Sequence, residues 1–167
     1  MIGMTTSTRK DPTALTARGE KTSFLSGLYD SDVYAWAMKN AELIRQGRFE
    51  EIDVDNVAEE IESVGKSERR ELESRLTVVL VHLLKWRYQP ARRGRSWRLT
   101  IQEQHLAAAR VLRQNPSLRS ASDKVLAEAY ESARLIAARE TDLDEGIFPE
   151  ACPFSLEQVF AQDHLPD

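Results

Sequence analysis

Four stretches of the chain place apolar residues at the spacing of an α-helix, and one of them contains a segment that is apolar on nearly every side. This segment covers residues 76–86 and lies in a pattern that extends from residue 53 to about Gln89, with Gly65 inside it. A helix that is apolar all round is surrounded by other elements. The pattern therefore predicts one central helix, continuous or slightly kinked, that is fully enclosed. A strand at residues 78–81 is excluded because a charged helical pattern precedes it and no second strand pattern exists.

A shorter helix is predicted before the central one. Asp30 or Ser31 can cap its start, and Gly47 can end it. Asp53 or Asp55 can then cap the central helix, since each side chain can accept a hydrogen bond from a backbone N–H of the first turn. The predicted apolar face of the shorter helix consists of Val33, Trp36, Ala37, Asn40, Leu43 and Ile44, and that of the first part of the central helix consists of Val57, Ile61 and Val64.

Two further helices and a short one are predicted after the central helix. Ser96 can cap the third helix, which ends before Pro116. The fourth helix extends from about Leu118 or Ser120 to Thr141, and Ser155 can cap a short helix over residues 156–161.

These elements predict an all-α fold, a single helical bundle of four main helices plus a short C-terminal helix. The connections are short, so sequential helices are expected to be antiparallel neighbours. We expect one domain over residues 24–167. Residues 1–23 are polar and show no periodicity, which predicts a flexible N-terminal tail.

Composition narrows the class of protein. A chain of 167 residues can bury roughly two-thirds of its unfolded surface, so it needs no disulfide to fold. Its one cysteine, Cys152, excludes an intramolecular disulfide and favours a reducing, cytoplasmic location. No apolar run approaches the roughly 20 residues that span a bilayer, so no membrane partner is expected. The net charge of −4 is unlike that of a general nucleic-acid binder.

Polar residues on one side of the central helix are the candidates for catalysis. Glu60, His82 and Lys85 lie near one face, and His82 and Lys85 are three residues apart. Neighbouring basic groups in an apolar setting hold each other's pKa down, as acid–base catalysis requires. The alternative is that His82 bonds a backbone or carboxylate partner in the core while Lys85 extends to solvent. The Glu-x-x-His spacing of helical metal sites is absent, so we expect no metal and no cofactor.

A basic aromatic segment, residues 85–98, contains six cations and no acidic residue. Cations with stacking rings are suited to phosphate backbones and unpaired bases. An acidic segment, residues 50–62, contains seven carboxylates and no cation. The two segments could pair within the bundle or across a dimer, so both interpretations stay open. The candidate nucleic-acid or partner-binding residues are Arg87, Arg92, Arg93, Arg95, Trp97 and Arg98.

Several short motifs occur in an order that resembles the bacterial "domain of unknown function 29" family. They lie at residues 29–36, 58–62, 82–86, 96–97, 115–118, 140–141 and 148–153, so the match covers nearly all of the chain after the tail. The resemblance implies an all-helical bacterial domain and carries no established activity, cofactor or catalytic residue. The positions that it marks for testing are Glu59, Glu60, Glu62, His82, Lys85, Trp86, Ser96, Trp97 and Glu140.

The functional prediction depends on the absence of common catalytic and nucleotide-binding motifs as well as on the separate acidic and basic segments. The Gly-x-Ser-x-Gly, Gly-x-x-x-x-Gly-Lys and Gly-x-Gly-x-x-Gly motifs are all absent. The leading hypothesis is a non-enzymatic interaction module that self-associates, with a second copy of the chain as its partner. One alternative is nucleic-acid binding through residues 85–98. The other is a small enzyme whose site gathers Glu60, His82 and Lys85.

Overall fold

The computed structural model describes residues 25–161 and 165–166. The tail predicted for residues 1–23 lies outside the described residues. Within the described part of the chain every regular element is helical and no strand occurs, which confirms the all-α class.

The predicted main helices are all present. Residues 25–31 are helical as well, a segment that the pattern did not predict as a helix. Short 3₁₀ turns connect the later elements, at Phe49–Glu51, Pro90–Arg92, Pro116–Ala121 and Glu145–Ile147. The helices are α1 (Val33–Arg45), α2 (Val54–Tyr88), α3 (Arg95–Gln114), α4 (Ser122–Thr141) and α5 (Leu156–Phe160). The long α2 is continuous through Gly65, as predicted.

Helix α1 begins and ends for identifiable local reasons. The carboxylate of Asp32 accepts a hydrogen bond from the backbone N–H of Ala35, at 2.9 Å. Asp32 is therefore the cap, and the prediction of Asp30 or Ser31 was wrong by one or two residues. Gly47 follows the helix with a φ of 70°, a left-handed conformation that glycine adopts without steric cost.

The caps of the later helices were predicted with mixed success. Ser155 forms the expected cap of α5, and Gln158 returns a hydrogen bond to the backbone N–H of Ser155. Ser96 does not cap α3, because that helix already begins at Arg95 and Gly94 precedes it without a side-chain cap.

The described residues fall into two compact units, one up to Val64 and one from Gly65. The prediction of a single domain over residues 24–167 stays a prediction. The core of the second unit is large, and α2 supplies its centre, as the apolar segment predicted. Its fully buried residues include Leu72, Leu76, Val79, Leu80, Leu83 and Leu84 from α2, Ile101 and Ala108 from α3, and Val125, Ala129 and Ala133 from α4.

The core of the first unit is small. Its buried apolar residues are Leu25, Trp36 and Leu43. Ile61 and Val64, predicted to be the inner face of α2, are 67% and 65% exposed. The prediction that the central helix is fully enclosed is therefore wrong for its first part. Val33 and Ile44 on the predicted apolar face of α1 are also exposed.

Candidate functional site

An open groove lies on the first unit between α1 and the beginning of α2. Its volume is about 300 Å³. Each wall is an apolar stripe at positions i, i+4 and i+7, the spacing that places three side chains on one face of a helix. The stripe of α1 consists of Ala37, Ala41 and Ile44, that of α2 consists of Val57, Ile61 and Val64, and Trp36, Asn40 and Glu60 complete the lining.

The apolar surface extends beyond the groove along α1. Val33, Tyr34 and Met38 are each more than half exposed. Single exposed apolar side chains are normal on protein surfaces, but contiguous ones mark interaction sites. The first unit therefore presents an apolar face that its own small core does not use.

A buried polar network underlies this groove. Asp53 is 3% exposed, and its carboxylate accepts hydrogen bonds from the Trp36 indole at 3.1 Å, the Asn56 amide at 2.7 Å and the Ser26 hydroxyl at 3.4 Å. The backbone N–H of Asp53 donates to the side-chain oxygen of Asn40, whose amide donates to the Trp36 carbonyl, both at 2.9 Å. These bonds hold α1 against the start of α2 and fix the indole in the floor.

Tyr29 and Glu60 form a second polar contact, at the edge of the groove. The Tyr29 hydroxyl donates to a Glu60 carboxylate oxygen at 2.7 Å, and the Tyr29 ring packs edge-on against Trp36. This hydrogen bond raises the pKa of Tyr29 to about 12, because a phenolate beside a carboxylate is disfavoured. Glu60 thus takes part in the packing of the first unit, whereas the other two predicted catalytic residues belong to the second.

His82 and Lys85 are held by contacts within the second unit. The Nδ1 atom of His82 lies 2.9 Å from the Val78 carbonyl, the backbone partner that the non-catalytic alternative predicted. Burial lowers the pKa of His82. The ammonium of Lys85 lies 2.7 Å from a carboxylate oxygen of Glu140 and 4.9 Å from the ring centre of Trp97. The fold therefore brings together three of the positions that the motifs marked.

The basic aromatic segment is mostly exposed. Arg93 donates to the Trp86 carbonyl at 2.8 Å, and its guanidinium carbon lies 5.7 Å from the centre of the Trp86 ring. Among the residues that the structure describes, no hydrogen bond or ion pair engages the side chains of Arg92, Arg95 and Arg98, all of which are exposed.

Comparison with known families confirms the resemblance carried by the motifs. The model of the family "Domain of unknown function DUF29" matches residues 28–165. The chain belongs to this family. No curated protein and no solved structure was found to match it. Family membership agrees with the helical fold, and any function must be argued from the geometry of the chain.

The remaining positions suggested by the family motifs lie on the surface. Glu59, Glu62 and Ser96 are exposed, and Trp86 is half-buried. Within the described ranges no group of three His, Cys, Asp or Glu side chains could hold a metal ion. No helix in the same ranges is both long and apolar enough to cross a membrane.

The single cysteine has no features of an activated nucleophile. The Cys152 thiol is half-buried and lies 3.4 Å from the Phe154 carbonyl. Burial raises its pKa, which disfavours the reactive thiolate.

Proposed function

We propose that this DUF29-family protein is a non-enzymatic interaction module that self-associates through the groove of its first unit. The observation that supports the proposal is the pair of exposed apolar stripes, one on α1 and one on α2. Two neighbouring helices with an open apolar side form half of a four-helix bundle. A second copy related by a two-fold axis would bury the same stripes on both chains.

The pattern of the two stripes favours a second copy as the occupant. Both stripes have the same spacing of i, i+4 and i+7, and both line the groove. In a two-fold arrangement whose axis runs parallel to the helices, α1 of one copy lies along α2 of the other, so each stripe packs against the stripe of the other helix. The charged residues Asp55 and Glu59 are each two residues from Val57 and lie on the opposite side of α2, outside this contact.

The test is the oligomeric state of the full chain over a dilution series in analytical ultracentrifugation. The wild type is expected to form a reversible dimer, and Ile61→Glu to weaken it at least about tenfold, because a carboxylate in an apolar interface loses its hydration. Leu106→Glu is the matched control, since Leu106 is 54% exposed in the second unit and receives the same charge. A monomeric wild type, or an equal effect of the control, contradicts the proposal.

A substitution in the other stripe tests the two-fold arrangement itself. Ala37→Glu places a carboxylate in the α1 stripe and is expected to weaken the dimer as Ile61→Glu does, because both stripes are buried in this arrangement. Glu59→Arg, on the opposite side of α2, is expected to leave the dimer unchanged. If Ala37→Glu has no effect, the two helices do not meet in the proposed way. Circular dichroism of each variant checks that its helix content is unchanged.

A further inference from the structure

The second unit carries a cationic surface of its own, distinct from the groove. It is formed by the exposed arginines between the end of α2 and the first turns of α3. We propose that this arginine surface binds the phosphate backbone of double-stranded nucleic acid without reading its sequence. The arginines are Arg87, Arg92, Arg93, Arg95 and Arg98.

The described contacts leave these charges available. In the basic segment the side chain that pairs with a carboxylate is Lys85, with Glu140. Arg93 donates to a neutral carbonyl, which leaves its positive charge uncompensated. Within residues 25–161 no ion pair involves Arg92, Arg95 or Arg98.

Three carboxylates of the acidic segment have partners in the first unit. Glu51 pairs with Arg48, Glu60 accepts from Tyr29, and Asp53 is buried in the network below the groove. These contacts give three of the seven carboxylates partners within the first unit.

The spacing of the arginines suits an extended row of phosphates. Arg95 and Arg98 are three residues apart and share one side of α3, and Arg92 and Arg93 lie at the turn immediately before it. A guanidinium can donate two parallel hydrogen bonds to one phosphate. Several neighbouring phosphates could therefore be contacted together, each by one side chain.

The aromatic rings favour a duplex over a single strand. Proteins bind single strands by stacking bases on exposed aromatic faces. Here Lys85 lies 4.9 Å from the ring centre of Trp97, and Arg93 lies 5.7 Å from that of Trp86. Both indoles are half-buried and already contact cations of their own segment. The positive charges of the arginines therefore remain available to a ligand. Such charges bind the phosphate backbone and do not distinguish the bases.

The test is fluorescence anisotropy of a labelled random-sequence DNA duplex with the full chain. Neutralising five phosphates predicts a slope of about −4.5 for log affinity against log salt, or a loss of about 500-fold between about 50 and 200 mM NaCl. Replacing Arg95 and Arg98 by Gln is expected to reduce the slope by about 2 and to weaken binding at least about tenfold at the lower salt.

A matched double variant lies on the same helix. Arg110 and Arg113 are also exposed and three residues apart in α3, but lie near its other end. Their replacement by Gln is expected to change duplex affinity less than about twofold, because neither lies in the proposed surface. An equal loss in both double variants would mean that only the net charge matters, and would overturn the assigned surface.

Three other outcomes overturn the proposal. These are no duplex binding at low salt, binding that does not depend on salt, and at least about tenfold tighter binding of a single strand of the same length. Vesicles containing anionic lipid are the competing probe, and binding to them without binding to the duplex assigns the surface to a membrane instead. Repeating the arginine comparison in Ile61→Glu separates this surface from self-association, since the arginine effect is expected to persist there.

Discussion

Asp53 is the residue on which the floor of the groove most depends. Its carboxylate accepts from Trp36 and Asn56, and it is almost completely buried. Removing the acceptor leaves buried N–H groups without a partner, at a cost of about 1–3 kcal/mol for each group. We expect Asp53→Ala to lower the free energy of unfolding by about 3 kcal/mol in urea denaturation.

Asp55 offers the control for this prediction. It lies two residues further along, is exposed, and makes no hydrogen bond or ion pair in the described part of the chain. Asp55→Ala is expected to change the free energy of unfolding by no more than about 0.5–1 kcal/mol. Equal losses in the two variants would show that Asp53 acts only through the charge at the start of α2.

Tyr29 provides a pH test of the contact with Glu60. The pKa of Tyr29 is raised from 10.0 to about 12 in the folded protein. The contribution of this contact to stability is therefore fully present below pH 10 and is lost as the pH rises from 10 to about 12. We expect Glu60→Gln to lower the pKa of Tyr29 in a titration of phenolate absorbance, with Tyr29→Phe identifying the signal. An unchanged titration would mean that the hydrogen bond is absent in solution.

The polar network could be predicted only in part from single residues. The sequence places Asn40 on an apolar face and Asp53 at a helix start, and both placements are correct. That they bond to each other depends on how α1 packs against α2, a tertiary fact that local spacing does not contain. A buried Asn near a Trp in the same apolar face was the available signal, since buried polar groups require partners.

Gly65 permits a test of helix continuity at the scale of an element. The helix α2 passes through this residue, and a Cβ atom added there would have no neighbour within 4 Å. Alanine is more favourable than glycine in a helix interior by about 1 kcal/mol. Gly65→Ala is therefore expected to raise the free energy of unfolding by up to about 1 kcal/mol in urea denaturation.

At Gly47 the same substitution is expected to lower the free energy of unfolding. Its φ of 70° is left-handed, so a Cβ atom there costs roughly 1–2 kcal/mol. Gly47→Ala should destabilise the protein while Gly65→Ala stabilises it. A loss of stability in both variants would indicate that α2 bends or ends at Gly65.

The two halves of α2 show why elements are easier to predict than their environment. The segment from Leu76 to Leu84 is apolar all round, and only a position inside a core satisfies such a surface. Ile61 and Val64 repeat at the same helical spacing but are exposed. An apolar stripe has the same sequence pattern whether it faces the core of its own chain or the surface of another chain. The existence of the helix was therefore predictable, and its fully enclosed state was not.

At the scale of the whole molecule, the sequence showed separate acidic and basic segments but did not show which groups they contact. The sequence left pairing within the chain and pairing across a dimer equally open. The described contacts of Asp53 and Glu60 are with uncharged side chains, whereas Arg92, Arg95 and Arg98 have no described partner. The two proposed surfaces therefore rest on different forces, apolar burial in the groove and charge on the arginines.

Salt distinguishes these two forces in one preparation of the protein. Apolar association responds weakly to NaCl, because screening by salt acts on charges. Duplex binding falls steeply because each neutralised phosphate releases counterions. Between about 50 and 200 mM NaCl we expect the dimer dissociation constant to change less than about threefold and the duplex affinity to fall about 500-fold. If sedimentation instead shows the dimer dissociating as steeply as the duplex complex in anisotropy, the acidic segment of one copy pairs with the basic segment of the other.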